Sequence, residues 1–166
     1  MPDLHAPFDN EPDTDFSLPQ NRKWALEILQ EAKEYKPKSI PLVIGGEELY
    51  ANEEGKGYDP SHPVKPLYMY AKAQKEHLEI AIQTAKAHEK SWAQASVAHR
   101  SELIARAAQK LRERRKELVL SMVVDGGKII SEADPEVSEA IDFGEYYRRQ
   151  LEKVSAMKDI RWEPKG

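Results

Sequence analysis

The sequence of 166 residues contains no cysteine. Disulfide bonds, zinc sites with thiolate ligands and a cysteine nucleophile are therefore excluded for these residues. Long apolar runs are absent as well, and none approaches the roughly 18 residues of a membrane-spanning helix. The first residues, MPDLHAPFDNEPDTDF, are acidic and proline-rich and lack the basic and apolar regions of a signal peptide. We therefore expect a cytoplasmic protein without a membrane span.

The sequence also has no excess of positive charge. Lysine and arginine number 25 against 29 aspartates and glutamates, and the net charge is -4. Nucleic-acid binding depends largely on basic residues that neutralise phosphates, so this balance argues against nucleic acid as the main partner. The length and the 40% share of hydrophobic residues suit one ordinary domain with its own core.

The chain opens with an acidic segment followed by the first helical pattern. Prolines and phenylalanines interrupt any periodicity over residues 1–18, which predicts an extended arm. A helix is predicted from Pro19, because a proline suits the first turn and Ser17 can cap it. Pro37 is predicted to end this helix.

Short strands follow the first helix. Leu42–Ile44 and Glu48–Tyr50 have the composition of two strands, and Gly45-Gly46 between them predicts a tight hairpin turn. The aromatic and apolar side chains of residues 66–73 predict a third strand.

The second half of the chain has helical periodicity. One helix is predicted from about Gln74, and a second from either Ser96 or Ser101 with a break near Arg114. Gly126-Gly127 is predicted to stop it as a C-terminal cap.

A last helix and a last strand complete the pattern. The helix is predicted to begin with Asp134 as N-cap and Pro135 at its first position, and to run to about Val154. DIRWEP, residues 159–164, predicts one more strand. The helices have no sheet to cover, and the final strand stands just before Gly166 without a partner. We therefore expect the front part of a larger protein, although a domain ending in a hairpin would give the same pattern.

The segment SEADPEVSEAIDFGEYY, residues 131–147, is dense in carboxylates. Its six acids are Glu132, Asp134, Glu136, Glu139, Asp142 and Glu145. Such density occurs in metal sites, in pairs of catalytic acids and on solvated helix faces. A di-metal carboxylate site needs Glu-x-x-His pairs, and no histidine follows these acids at that spacing. The spacing therefore favours a capped, solvated helix whose opposite, apolar side is formed by Val137, Ala140, Ile141 and Gly144.

Three other features are interpreted as structure rather than chemistry. His77, His88 and His99 are eleven residues apart without a third ligand on the same element, which does not indicate a metal site. RERRKE, residues 112–117, is interleaved with acids and is predicted to be solvated surface. GGK, residues 126–128, lacks the strand and the longer glycine pattern of a phosphate loop.

Several segments together resemble the N-terminal portion of the aldehyde dehydrogenase superfamily. They are FDNEPDTDFSLPQNR from Phe8, PLVIGGEEL, Asp59-Pro60, RSELIARAAQKLRERRKEL and GGKIISEADPEVSEAIDFGEYY. The arm with Asn-Glu-Pro and the last of these segments are similar more narrowly to the 1-pyrroline-5-carboxylate (glutamate-semialdehyde) dehydrogenases, standalone or within a bifunctional proline-utilisation enzyme.

The resemblance implies a fold for this chain and the division of the chain into three regions. It implies the helix-rich N-terminal part of an α/β aldehyde dehydrogenase fold, with a short β-hairpin and with the main parallel sheet absent from this chain. Residues 1–18 would form an extended arm and residues 19–154 a partial N-terminal, cofactor-domain region. Residues 155–166 would begin a bridging β-arm used in oligomerisation, so a homo-oligomeric parent is implied.

The resemblance also implies a reaction and one site residue. In the family a cysteine thiolate attacks the aldehyde, hydride passes to NAD and water releases the acid, here glutamate in proline degradation. The family's catalytic residues and NAD-binding strands lie beyond the point matching Gly166, so this chain alone is expected to be inactive, with no catalytic, cofactor-binding or metal residue. Glu139 matches a family glutamate near the substrate's amino group and is the single predicted substrate-binding residue.

Two alternatives to this reading stay open. The chain could be a truncated, non-catalytic relative that acts as a binding or assembly module. It could also belong to a member of the superfamily that acts on a different aldehyde, although the Asn-Glu-Pro arm argues against this.

Overall fold

A computed structural model describes residues 6–36 and 38–157, apart from the side chain of Lys65. The chain divides into two compact units. Unit 1 comprises the described residues through Thr14, Ala95–Arg115 and the described residues from Asp134 onward. Unit 2 comprises Asp15–Gln94 and Lys116–Ala133. The strand predicted for residues 159–164 lies outside the described residues.

Helix α1, Pro19–Lys33, opens unit 2 with a proline in its first turn, as predicted. The prediction that Ser17 caps it is wrong, because the N-cap is Leu18 and makes no side-chain cap bond. The backbone N–H of Ser17 donates instead to Asp15 Oδ1 at 2.8 Å, which closes the turn ahead of the helix. The helix ends at Lys33. Pro37, which was predicted to end it, lies outside the described residues.

The predicted hairpin is confirmed. Strands β2, Leu42–Ile44, and β3, Glu47–Leu49, pair antiparallel, with Val43 opposite Glu48. Gly45 and Gly46 have φ angles of 65° and 87°, which a residue with a side chain rarely adopts.

The remaining strands of unit 2 form a three-stranded sheet in the order β1-β5-β4. β1, Lys38–Ile40, lies parallel to β5, His62–Ala71, and β4, Glu54–Asp59, lies antiparallel to β5. The predicted third strand corresponds to the second half of β5. β1 and β4 were not predicted from the sequence, and β4, with the sequence EGKGYD, has little β-propensity of its own.

Unit 2 also contains α2, Lys75–Gln94, and all of α4, Arg115–Gly126, except its first residue, Arg115. α2 buries no residue, whereas α4 buries Val119 and Val124. The predicted glycine stop is confirmed, because α4 ends at Gly126 and Gly127 has a φ of 65°.

Unit 1 is built on two helices that pack closely. α3, Val97–Glu113, has Ser96 as its N-cap, and the side chain of Ser96 accepts the backbone N–H of His99 at 3.1 Å. The Ser96 alternative and the break at Arg114 are therefore confirmed. α5 spans Ile130–Ala156, with the part from Asp134 in unit 1. A Cβ built on Gly144 of α5 would lie 3.5 Å from Cβ of Ala108 of α3, an ordinary van der Waals distance, so the two helices are in contact at this point.

The predicted start of the last helix is wrong. α5 begins at Ile130, and Pro135 lies inside it rather than at its first position. The Asp134 side chain does not cap the helix, because its carboxylate oxygens bond to Thr14 and Arg115 instead. The helix forgoes the hydrogen bond that Pro135 cannot donate.

Candidate functional site

The six acids of residues 131–147 separate into two sets along α5. Three are exposed and three are engaged with residues distant in the sequence. The exposed acids are Glu132, Glu136 and Glu139. The engaged acids are Asp134, Asp142 and Glu145, and all three bind residues of unit 1.

Asp134 is completely buried and joins the N-terminal arm to Arg115, the first residue of α4. Thr14 donates its backbone N–H to Oδ2 at 2.7 Å and its hydroxyl to Oδ1 at 2.8 Å. Arg115 donates Nε to Oδ1 at 2.7 Å and Nη2 to Oδ2 at 2.9 Å, a bidentate pair. Burial by itself raises the pKa of Asp134, but the hydrogen bonds from Arg115 and Thr14 outweigh it and hold this pKa below its ordinary value.

Asp142 lies two helical turns further along α5 and also binds the arm. Its Oδ1 accepts the backbone N–H of Glu11 at 2.7 Å, and its Oδ2 accepts the side-chain amide of Asn10 at 2.7 Å. One carboxylate therefore fixes two successive residues of an extended segment.

Glu145 is 5% exposed and accepts from three arginines. Arg148 Nε lies 2.7 Å and Arg149 Nη1 2.6 Å from its Oε2, and Arg112 Nη1 lies 3.1 Å from its Oε1. Burial raises the pKa of Glu145, but these arginines lower it further than burial raises it, so the net shift is downward. Arg112 also donates Nε to Oε2 of Glu11 at 2.8 Å, so it bridges the arm and α5.

The first described residues of the arm contact the second half of α5. Arg149 donates Nε to the carbonyl oxygen of Ala6 at 3.0 Å. The ring of Phe8 meets that of Tyr146 edge to face, with centroids 5.4 Å apart. Arm and helix together line a cavity of about 560 Å³ formed by Ala6, Pro7, Phe8, Tyr146, Arg149, Gln150, Glu152 and Lys153.

These contacts correct the prediction that the acids of α5 are caps and solvated surface. It is wrong for Asp134, Asp142 and Glu145, and Ala140, assigned to the apolar side, is exposed. The prediction that residues 112–117 are solvated surface is wrong for Arg112 and Arg115.

These pairs have no local signal in the sequence, because Glu11 and Arg112 are 101 residues apart and Thr14 and Asp134 are 120 apart. The one signal in the sequence that could have indicated these pairs is the opposite charge of two segments. Residues 9–15 are acidic, and residues 112–116 are mainly basic.

Glu139, the predicted substrate-binding residue, is exposed on α5. Among the residues that the structure describes, its carboxylate makes no hydrogen bond or ion pair. One turn further on, the half-exposed ring of Phe143 stacks on that of Tyr147, with centroids 5.9 Å apart. Glu139 is therefore available to a ligand, and its role stays a prediction.

Within residues 6–36 and 38–157, the structure has neither a cluster of metal-ligating side chains nor a helix suited to span a membrane. Within these ranges no three histidine, aspartate or glutamate side chains come together as metal ligands. None of the helices in the same ranges combines the length and the apolarity needed to cross a membrane.

Comparison with known proteins identifies the class. The model of the aldehyde dehydrogenase family matches residues 27–165, so the chain belongs to the aldehyde dehydrogenase family. The predicted fold, a helix-rich N-terminal part of that α/β fold, is thereby confirmed.

Within this family, the chain is similar to particular proteins of known sequence and structure. The chain is 35% identical over 158 residues to 1-pyrroline-5-carboxylate dehydrogenase of Oceanobacillus iheyensis, covering 95% of this chain and 31% of the relative. It matches a solved 1-pyrroline-5-carboxylate dehydrogenase from Thermus with bound NAD at a TM-score of 0.86 and 34% identity, over 95% of this chain and 31% of that one. It matches proline utilization A from Bdellovibrio bacteriovorus at a TM-score of 0.85 and 30% identity, over 93% of this chain and 16% of that one. The chain thus spans less than a third of the length of each.

Proposed function

We propose that the chain supplies the N-terminal part of an NAD-dependent aldehyde dehydrogenase that oxidises glutamate semialdehyde, the open form of 1-pyrroline-5-carboxylate, to glutamate in proline degradation. The observation that carries this proposal is the 35% identity across 95% of the chain to a relative named for that activity. The proposal includes a cytoplasmic, homo-oligomeric parent enzyme.

The residues described here do not fit the NAD site. Their sheets are a two-stranded hairpin and a three-stranded sheet in which only β1 and β5 are parallel. A dinucleotide site requires a parallel sheet with crossover helices and a glycine-rich turn at a strand end. In the parent, NAD would accept hydride at a site supplied by other residues.

The contribution of this chain to the reaction is binding rather than chemistry. Without cysteine it supplies no thiolate nucleophile. Glu139 supplies an exposed carboxylate that would meet the ammonium group of glutamate semialdehyde, since a charge-assisted contact between them is stronger than a neutral hydrogen bond. The arm and the arginines fix α5, on which Glu139 lies.

A chimera tests this proposal. Residues 6–157 replace the matching segment of the Oceanobacillus iheyensis relative, and assembly is checked by size-exclusion chromatography with light scattering. We expect the assembled chimera to reduce NAD with glutamate semialdehyde in preference to hexanal, which has no amino group.

Two outcomes would contradict the proposal. An assembled chimera that prefers hexanal would assign the chain to an enzyme for another aldehyde. An assembled chimera that binds NAD but oxidises neither aldehyde would favour a non-catalytic binding or assembly module.

A further inference from the structure

Aromatic rings of unit 1 contact one another in a row. The ring of Phe8 on the arm meets that of Tyr146 edge to face with centroids 5.4 Å apart, and Tyr146 meets Tyr147 edge to face at 5.5 Å. Tyr147 in turn stacks on Phe143, with centroids 5.9 Å apart and ring planes 9° from parallel. We call these side chains the aromatic row, and it leads from the arm to the middle of α5.

The contacts of the aromatic row restrict the ring of Phe143, although this ring is half-exposed. Aromatic pairs prefer offset-stacked or edge-to-face arrangements with centroids about 4.5–7 Å apart, and each contact of the row has such an arrangement. A side chain that is held in place beforehand loses little conformational freedom when a ligand binds. The row therefore prepares the ring of Phe143 for a binding contact.

The aromatic row ends one helical turn from Glu139. Side chains four residues apart on a helix are neighbours, with Cβ atoms about 5–6 Å apart. The Cα–Cβ bonds of a helix tilt toward its N-terminus, so the side chain of Phe143 leans toward the turn that carries Glu139. Tyr147 contacts Phe143 from the following turn. Because Glu139 and Phe143 are both exposed, carboxylate and ring can contact the same bound group.

These two side chains favour the same kind of ligand. The face of an aromatic ring attracts a cation that lies within about 6 Å of the ring centroid. The carboxylate of Glu139 attracts a cation as well, and among the described residues it has no ion-pair partner. Arg148 and Arg149, the cations of α5 nearest to it in the sequence, pair with Glu145 instead. A small organic cation from outside this chain is therefore the ligand that fits.

We propose that Phe143 is a second recognition residue for the ammonium group of the amino aldehyde, and that its ring face and the Glu139 carboxylate contact this group together. The inference rests on the proposed function, in which Glu139 meets the ammonium group of glutamate semialdehyde. Tyr147 is a positioning residue, because it acts on the ligand only through the ring of Phe143. An aldehyde without an amino group gains only apolar contact from the ring.

Ring fluorination tests this contact with little change in the size of the side chain. In the chimera described above, Phe143 is replaced by phenylalanines that bear one, two or three ring fluorines, which withdraw electron density from the ring face. The substrates are glutamate semialdehyde and glutarate semialdehyde, which has the same chain and carboxylate but no amino group. KM for glutamate semialdehyde should rise with each fluorine, about two- to thirtyfold over the series, while KM for glutarate semialdehyde changes less than about twofold.

The outcomes separate this proposal from the proposed function. A constant or falling KM for glutamate semialdehyde would identify an apolar contact, because fluorine makes the ring more apolar. In a chimera that still prefers glutamate semialdehyde, that result would overturn the role of Phe143 and leave the proposed function standing. An unsubstituted chimera without this preference would overturn both.

The matched control places the same fluorinated residues at Phe16, which stacks on Trp24 in unit 2 and is not part of the aromatic row. These chimeras should keep the unsubstituted KM for both aldehydes. An equal rise in KM from fluorine at Phe16 and at Phe143 would contradict a local contact between the ring of Phe143 and the ammonium group.

Substitution of Tyr147 tests its positioning role. Tyr147→Leu removes the ring that stacks on Phe143, and we expect a several-fold rise in KM for glutamate semialdehyde with little change for glutarate semialdehyde. Tyr147→Phe keeps the ring and should restore the unsubstituted KM, although it removes the hydroxyl. A loss as large in Tyr147→Phe as in Tyr147→Leu, or an equal loss for both aldehydes, would contradict a role of the Tyr147 ring in positioning Phe143.

Discussion

At the scale of single residues, the buried carboxylates set how the protein responds to acid. The pKa values of Asp134 and Glu145 are lowered in the folded protein, where arginines outweigh the effect of burial, while an unfolded chain has the ordinary value of about 4. Stability falls with falling pH wherever the unfolded state binds more protons. The contribution of these two groups is therefore complete above about pH 5 and is lost as pH falls through about 4 and then through the lowered folded pKa.

The Asp134 contribution is tested by Asp134→Asn. The change leaves the guanidinium of Arg115, whose side chain is 16% exposed, without its anionic partner. Breaking a buried pair from one side costs about 3–5 kcal/mol, and partial exposure places the expected loss near the lower value. The free energy of unfolding is measured with urea between about pH 3 and 7, a range that includes the ordinary carboxyl pKa. Asp134→Asn should have a lower free energy of unfolding than the wild type and should lose less of it as the pH falls (a flatter acid limb).

Glu132→Gln is the control for this measurement, because Glu132 is an exposed acid on the same helix. It should leave both stability and the acid limb unchanged within about 0.5 kcal/mol. Identical acid limbs for Asp134→Asn and the wild type would contradict the assignment of acid sensitivity to Asp134.

Glu139 gives the functional prediction at this scale. In the chimera described above, Glu139→Ala should raise KM for glutamate semialdehyde, because a lost charge-assisted contact amounts to about 1.5–3 kcal/mol, less where solvent reaches it. KM for hexanal should change little, and Glu132→Ala should change neither. Equal increases for both aldehydes would return Glu139 to the role of an exposed helix residue.

At the scale of elements, strand β4 depends on its two glycines. A Cβ on Gly57 would lie 2.1 Å from Cζ of Tyr68, and one on Gly55 would lie 2.1 Å from Cζ of Tyr70. Interaction with Asp125 of α4 raises the pKa of the Tyr68 hydroxyl, and Tyr68 is half-buried, whereas Tyr70 is 40% exposed. The ring of Tyr70 can move into solvent, whereas movement of the half-buried ring of Tyr68 would disturb its interaction with Asp125.

Gly57→Ala should therefore destabilise the chain by about 1–3 kcal/mol, the usual cost of overpacking. Gly55→Ala should cost less than about 1 kcal/mol, and Gly126→Ala, where the nearest atom is 3.7 Å away in a helix, should be neutral or slightly stabilising. Thermal unfolding of the three variants checks this order. A larger effect for Gly55→Ala than for Gly57→Ala would contradict the role of burial and of Asp125 in restraining the ring of Tyr68.

Elements with local signals were predicted well from the sequence. Gly45-Gly46 predicted the β2–β3 hairpin, and Ser96 was one of the two starts predicted for α3, because the turn and the cap depend only on neighbouring residues. β4 and the start of α5 were not predictable in this way. The glycines of β4 are explained by tyrosines of β5, and Asp134 is diverted from capping by Thr14 and Arg115, which are distant in sequence.

The same limit applies to the candidate site. Glu139 was selected by resemblance, and the structure shows it exposed without showing a ligand. The network of Asp142, Glu145 and Arg112 was missed, because a run of mixed charges is usually solvated and nothing local reveals a partner 33 or 131 residues away.

At the scale of the whole molecule, the chain by itself is expected to oxidise no aldehyde. It has no cysteine, and its described sheets do not form a dinucleotide site. The purified chain with NAD and glutamate semialdehyde should produce NADH no faster than a reaction without protein. Turnover above that background would show that this chain contains a catalytic centre of its own.

The apolar side chains of α2 predict association of the isolated chain. Leu78, Ile82 and Trp92 are each more than half exposed, and α2 buries no residue. Covering a large apolar side chain contributes roughly 1.5–3 kcal/mol, which favours self-association. Light scattering should show oligomers that Leu78→Ser and Ile82→Ser reduce, whereas Gln83→Ser on the same helix should not.

A strictly monomeric wild-type chain with a sharp cooperative thermal transition would contradict this prediction and show that the chain is a domain in its own right.

The position of the arm also determines the order in which the protein can fold during synthesis. Asn10, Glu11 and Thr14 leave the ribosome 120 to 132 residues ahead of the aspartates that bind them. At about 5–20 residues per second, the arm waits roughly 6 to 26 s for α5 to be translated. Docking of the arm thus follows the translation of α5, and a protease acting on nascent chains would cut the arm until α5 has emerged and would spare it afterwards.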